Sequence, residues 1–275
     1  MAKSIWQKPA DNLLSLATLT NPTGASASGY ALTDLYNSNP AFGWHAAAAT
    51  TFYILVDFGG ALTKAVKLIG FHNHNFDAGI VLTIQGNATN SWGAPTVNST
   101  VTVPAVAGDG FKKDFYWLNA SQTTALRYWR IGTTTTNAAA WILGQLWLSD
   151  TIRYLPWDQM QSGSLSIRRV RPVIEHVTPR PYNVSLRYPS PSRYTVIGGS
   201  VKGVRTDVED MRDSWFSLCL GRSIPTCFVN EDTGSGNECF FVVHDQDEME
   251  TSQVLGQVWQ APLVLRTLAT GPGWS

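Results

Sequence analysis

Apolar residues in this chain recur mostly at a spacing of two or in short runs, the signature of strands rather than helices. In the first half, residues 51–58 (TFYILVDF), 65–71, 80–85, 100–106, 111–118, 126–133 and 141–148 read as strands bounded by Gly, Pro, Asn and Asp. The run LRYWRIGT at 126–133 alternates cleanly, which predicts one buried face. Residues 1–30 are polar and turn-rich, an edge strand or an arm, and 32–36 allow one helical turn before Asn39-Pro40. Between the strands at 65–71 and 80–85, HNHNFDAG has the composition of a loop.

The character changes after Asp150. Strands are predicted at 165–175, 182–188 and 194–201, separated by Pro-containing turns, and later at 225–230, 239–244, 253–259 and 262–268. One helix interrupts them near 207–220. Thr206 or Asp207 is placed to cap it, acids fill its first turn, and Val208, Met211, Trp215 and Leu218 fall on one face. These patterns predict a mostly all-β chain of two units, residues 1–150 (core about 30–150) and 151–275, with the boundary near 150–163.

Composition supports that reading. The 275 residues suffice for two cores, and the 20 basic and 20 acidic residues leave no overall field to recruit nucleic acid or an anionic membrane. Charge is segregated, however. Nine Lys and Arg stand against Asp158 and Glu175 between 153 and 205, a balance of +7, while seven acids and no Lys or Arg occupy 231–250. Such a chain can associate head to tail, with Arg168, Arg169 and Arg171 at a contact between copies, or the two segments can pair within one molecule. Eleven Trp suit sandwich cores and also stacking surfaces. Cys219, Cys227 and Cys239 form no C-x-x-C pair and read as buried thiols, with neither a disulfide framework nor a zinc site expected. The opening residues carry no long apolar stretch and no run of about 18 apolar residues occurs, so no membrane insertion is expected and folding in a cytoplasm is.

Little of the candidate chemistry survives inspection. His72 and His74 would share a face of a strand, with Asp77 as a third metal ligand, but Asn73, Asn75 and Gly79 favour turn geometry, and side-chain to backbone hydrogen bonds are the better expectation. Gly198-Gly199-Ser200-Val201-Lys202 misses the nucleophile elbow at its last position. The acids at 245–250 lack the spacing of a calcium loop, and no phosphate-binding glycine motif occurs. Tyr182, Tyr188 and Tyr194 among basic residues could track a nucleic acid strand, against which the X-Pro turns weigh. No catalytic residue, metal or cofactor is assigned.

A resemblance adds to this. The strand end VDFG at 56–59, LIGFHN at 68–73, VLTIQGN at 81–87, LRYWRI at 126–131 and ILGQLWL at 142–148 resemble, in that order, the discoidin-like (galactose-binding-like) jelly rolls, in the form found in bacteriophage tail proteins. Phe71 is an extra residue between the Gly and the His of that pattern. The resemblance implies a non-enzymatic structural component of a phage tail tip or baseplate, made in the host bacterial cytoplasm and assembled in several copies with other tail proteins. It also allows a second reading, a carbohydrate-binding module for host surface glycan in which Trp44, His45 and Trp92 stack on sugar.

Overall fold

The computed structural model describes residues 3–21, 23, 25–37, 43–60, 62–105, 114–156, 166–170, 173–177, 185–189, 194–219, 224–230, 232 and 239–267. In chain order the first strands are β1 (Ile5–Trp6), β2 (Thr18–Thr20), β3 (Trp44–His45), β4 (Phe52–Asp57), β5 (Leu68–His74), β6 (Val81–Asn87), β7 (Val97–Thr102), β8 (Phe115–Leu118), β9 (Tyr128–Thr133), β10 (Ile142–Ser149) and β11 (Arg153–Tyr154). There follow β12 (Ser166–Val170), β13 (Val173–Val177), β14 (Ser185–Pro189), β15 (Tyr194–Gly203), helix α1 (Arg205–Asp210), β16 (Thr226–Val229), β17 (Cys239–His244), β18 (Ser252–Leu255) and β19 (Val258–Thr267).

The fold class is the expected one: mostly β, a β-sandwich followed by a second β-rich unit with one short helix. The sandwich packs a five-stranded sheet (order β2-β4-β9-β6-β7) against a four-stranded sheet (order β3-β10-β5-β8). Inward residues of both sheets, including Phe52, Ile54, Ile69, Phe71, Ile84, Trp117, Trp129 and Trp141, form one buried cluster between them. The period-two pattern explains this face. In β9, Trp129 and Ile131 point in while Tyr128 and Arg130 stay half-buried on the outside.

The four-stranded sheet is covered a second time. Its other face meets an eight-stranded sheet running β11-β1-β16-β17-β19-β15-β12, with β18 on β19. Ile5, Leu68, Tyr116, Trp147, Cys227, Val229, Cys239 and Phe241 are buried together in this seam. The far side of the eight-stranded sheet carries a third cluster, in which Trp6 and Trp215 stack at 5.1 Å. Alternation divides each strand between the two sides. Ile5, Cys227, Val229, Cys239 and Phe241 enter the seam, whereas Trp6, Phe228 and Val242 face the helix.

Strand β1 lies between β11 and β16 in the second sheet, where Ile5 fills the seam and Trp6 meets Trp215. Three expectations change. His72, Asn73 and His74 belong to β5 rather than a loop, and all three are buried. The helix is capped by neither Thr206 nor Asp207, since Val204 precedes its first residue. It continues as a π-helical turn at Met211–Phe216, with the Ser217 amide donating to the Arg212 carbonyl at 3.0 Å. That extra residue per turn rotates the inward stripe, so Cys219 is buried beside Val208, Met211 and Trp215 while Leu218 is 49% exposed.

Gly70 is where the seam is tightest. A Cβ there would lie 3.0 Å from Cys227 Sγ and 3.4 Å from Cys239 Sγ and from the Phe241 ring. Gly70→Val is expected to lower stability in urea unfolding by about 1–3 kcal/mol through overpacking. Cys227→Ala should recover part of that loss in the double variant, and strict additivity of the two changes would count against a shared contact.

Candidate functional site

The residue types that sequence inspection favours for chemistry are placed apart. Asn73 has φ +51°, in the left-handed region, and this breaks the alternation of β5. His72, before the break, keeps the alternation and enters the seam, stacking on Phe241 at 4.8 Å with its Nδ1 on the Asp114 carboxylate, which also accepts from the Asn73 amide at 3.0 Å. His74 turns toward the sandwich core, edge-on to Phe115 at 5.0 Å, and its Nδ1 accepts from the Phe76 amide at 3.2 Å. Asp77 is exposed and accepts from the Ala138 amide at 2.7 Å. The three share no site, and among the described residues no group of three or more His, Cys, Asp and Glu is arranged to hold a metal ion.

The three thiols are buried. Burial pushes Cys219 up to about 12 and Cys239 well above the usual thiol range. Cys227 and Cys239 lie with their sulfurs 3.4 Å apart beneath Gly70. His244 is buried against Trp215 and Phe216, and neither ring nitrogen has a hydrogen-bond partner. Burial pushes its imidazole down to about 4. No substrate could reach any of these groups without the layers parting. No helix of the described residues is long and apolar enough to cross a membrane.

Of the sequence-selected stacking residues, Trp44 is fully buried, and its Nε1 donates to Ser26 Oγ at 2.9 Å. As a core residue of β3 it offers no ring face to a ligand, which corrects its proposed stacking role. Its neighbour His45 is half-buried and stacks on Tyr30 at 3.7 Å. Trp92 lies in the connection between β6 and β7, on the opposite sheet from β3, so the three do not form one platform. Arg168 and Arg169 sit on β12, the last strand of the eight-stranded sheet, paired in register with Val196 and Thr195; Arg171 lies outside the described residues.

Trp92 instead completes a different arrangement, on the outer face of the five-stranded sheet. The Arg130 guanidinium lies 4.2 Å from the Tyr53 ring centroid and 4.6 Å from that of Trp92, between two aromatic rings. Its Nε donates to Gln85 Oε1 at 2.9 Å and its Nη2 donates to the same oxygen. Gln85 Nε2 in turn donates to Asn98 Oδ1 at 3.0 Å. Register produces this row, because Arg130, Gln85 and Asn98 are directly opposite one another on β9, β6 and β7. Tyr53 has Gly132 opposite it, where a Cβ would come within 2.8 Å of the Tyr53 ring. The missing side chain lets that ring lie over the sheet.

Hydrogen bonds hold the Trp92 connection. Asn87 Nδ2 donates to the Ser91 carbonyl at 2.6 Å, Thr96 Oγ1 donates to Asn87 Oδ1 at 3.2 Å, and Trp92 Nε1 donates to Asn90 Oδ1 at 2.9 Å. Nearby, Arg127 forms a two-point pair with Asp57 at 2.7 and 2.9 Å and lies over Tyr128. The Arg127 hydrogen bond holds the Asp57 carboxyl below its usual range. Around the row, Thr83 is half-buried, and Asn90, Asn98 and Thr100 are exposed. The result is an amphipathic surface of aromatic rings, amides and hydroxyls held in place by hydrogen bonds. Sequence reading missed Tyr53, Gln85 and Arg130, although the alternation of LRYWRIGT already put Arg130 on the outer face.

A cavity of about 220 Å³ at one end of the sandwich is lined by Ala46, Ala47, Ala48, Thr50, Phe52 and Trp141, among others, and a cleft of about 130 Å³ at the seam by Gln145, Trp147 and Phe241 with others. Both fall below the roughly 300–1,000 Å³ of typical small-molecule pockets.

No family model and no curated relative matches the chain. Among solved structures, a mutant of the lectin-binding domain of lectinolysin complexed with Lewis b is 13% identical, covering 51% of this chain and 96% of that chain, with a TM-score of 0.38. Chitosan-binding module 1 from a chitosanase/glucanase of Paenibacillus sp. IK-5 is 21% identical, covering 50% of this chain and 97% of that chain, at 0.35. The family 32 CBM from C. perfringens NanJ in complex with galactose is 11% identical, covering 53% and 98%, at 0.36.

The native imidazole of His244 at about 4 lies below its ordinary value of 6.5, so the unfolded chain takes up the proton first as pH falls. The stability tied to neutral His244 is whole above about pH 6.5 and is lost progressively down to about pH 4. Between pH 7 and pH 5 the wild type is expected to lose about 2 kcal/mol more than His244→Leu in urea unfolding. Equal losses in the two proteins would show that His244 is solvated in the native state.

Proposed function

We propose that this chain is a non-catalytic component of a bacteriophage tail that recognises carbohydrate on the outer face of its jelly roll. The observation that supports it is the Tyr53–Arg130–Trp92 stack, bordered by the amide and hydroxyl groups of Gln85, Asn90, Asn98, Thr83 and Thr100. Sugars offer apolar C–H faces and a rim of hydroxyls, and aromatic rings fixed beside amides match both. Both faces of the four-stranded sheet are packed against other layers, whereas this outer face of the five-stranded sheet meets solvent. The resemblance of the sequence motifs to their phage-tail form is what supports carriage on a tail, with synthesis in the host bacterial cytoplasm and host surface glycan as the proposed partner.

A second reading, a purely structural tail part, has its own supporting feature. Among the described residues β13 and β14 pair with each other as a two-stranded sheet, inside the segment of balance +7, and the acidic segment lies elsewhere in the chain. Opposed segments on different copies supply contacts for assembly.

On a glycan array the full chain is expected to bind a defined subset of saccharides, with Trp92→Ala weakening binding at least tenfold, about 1.4 kcal/mol, at unchanged thermal midpoint. Silence across the array would oppose recognition. Reversing charge at Arg168, Arg169 and Arg171 together is expected to shift sedimentation toward smaller species; an unaltered distribution would remove those residues from the contact between copies.

A further inference from the structure

Arg130 differs from its neighbours in having no acid. Arg127 is paired with Asp57, Arg153 with Asp11, Lys64 with Asp150, and Arg212 with Asp213. Arg130 alone in this group is satisfied by a neutral amide oxygen, that of Gln85, and no carboxylate among the described residues accepts from it. The cation is also partly removed from water, since it lies against the Tyr53 and Trp92 rings at 4.2 and 4.6 Å from their centroids. An unpaired charge held out of water is unfavourable in the free protein, and an arriving anion relieves it. Burial drawing the guanidinium below its usual range agrees with that environment.

The covalent geometry says what such an anion looks like. A guanidinium has five N–H donors in one plane, and Gln85 takes one from Nε and one from Nη2. The three that are left, two on Nη1 and one on Nη2, include the parallel pair that matches the two oxygens of a carboxylate or phosphate. Stacking between Tyr53 and Trp92, together with the Gln85 bond, fixes the plane of this fork before a ligand arrives, so little ordering is needed on binding.

We infer that the outer face selects anionic saccharides, with the acidic group on the Nη1–Nη2 edge of Arg130 and the sugar ring against Trp92 and Tyr53. This rests on the carbohydrate reading above and narrows it to one ligand class, acidic glycans, whose charge is a uronic-type carboxylate or a phosphodiester. Neutral sugars would leave the Arg130 donors to water and bind more weakly.

Calorimetric titration of the full chain tests this with oligogalacturonate as the carboxylate probe, a short poly(ribitol phosphate) as the phosphate probe, and a malto-oligosaccharide of matched length as the neutral probe. The wild type is expected to bind one or both acidic probes at least tenfold more tightly than the neutral one, and raising the salt should weaken only the acidic arms. Arg130→Gln should remove that preference. Arg130→Lys, which keeps the charge without the fork, should recover only part of it, and thermal melts of both variants establish that they are folded. The ratio of the two acidic arms identifies the anion.

Equal affinity for neutral and acidic probes, or acidic binding unchanged in Arg130→Gln but lost in Trp92→Ala, would overturn the inference and leave carbohydrate recognition standing. Binding of no saccharide by the wild type would overturn both. Tighter Arg130-dependent binding of single-stranded DNA than of either acidic probe would also overturn the inference.

Discussion

Strand β5 has water on neither face, and a strand so placed needs a packed layer on each side before it is stable. Ile69 and Phe71 point into the sandwich, while Leu68, Gly70 and His72 point into the seam with the second sheet. Hence β5 is packed by residues from both halves of the chain. The seam is closed by apolar contacts among Tyr116, Trp147 and Phe241, by the His72–Asp114 pair, and by a glycine where two sulfurs approach. The short β1, from the start of the chain, is inserted into the second sheet and ties the halves together from the other direction.

This packing decides where recognition can occur. Both faces of the four-stranded sheet are covered, and the far face of the eight-stranded sheet is covered in part by the helix cluster. The outer face of the five-stranded sheet is the one that presents ordered aromatic and guanidinium groups to solvent, on strands whose other side is anchored by Trp129, Ile131 and Ile84. A rigid sheet is a good base for such a surface, because strand register places Arg130, Gln85 and Asn98 side by side without any loop having to order. Shallow recognition on a flat face also agrees with the small cavities elsewhere in the described structure.

Much of this was legible in the residues. The alternation in 126–133 and the short apolar runs define the sandwich strands to within a few positions, since period two is a direct consequence of strand geometry. What was not legible depends on tertiary partners. HNHN reads as a loop by composition, yet burial and the Asp114 carboxylate draw it into β5, with Asn73 supplying the one left-handed residue. The helix stripe failed at Leu218 because a π-helical turn changes the period within a single element. Trp44 and Trp92 are the same residue type, and no local pattern says that one fills the core and the other stacks on Arg130; only the pairing of distant strands does.

Recognition on the outer sheet face is the central claim, and amide hydrogen exchange read with and without a bound acidic oligosaccharide tests it most directly. Added protection should concentrate in residues 81–98 and 127–133, the strands and connection that carry Gln85, Trp92 and Arg130. Protection confined instead to the loop end at 46–51 and 134–141, with no change at 81–98 and 127–133, would contradict the account.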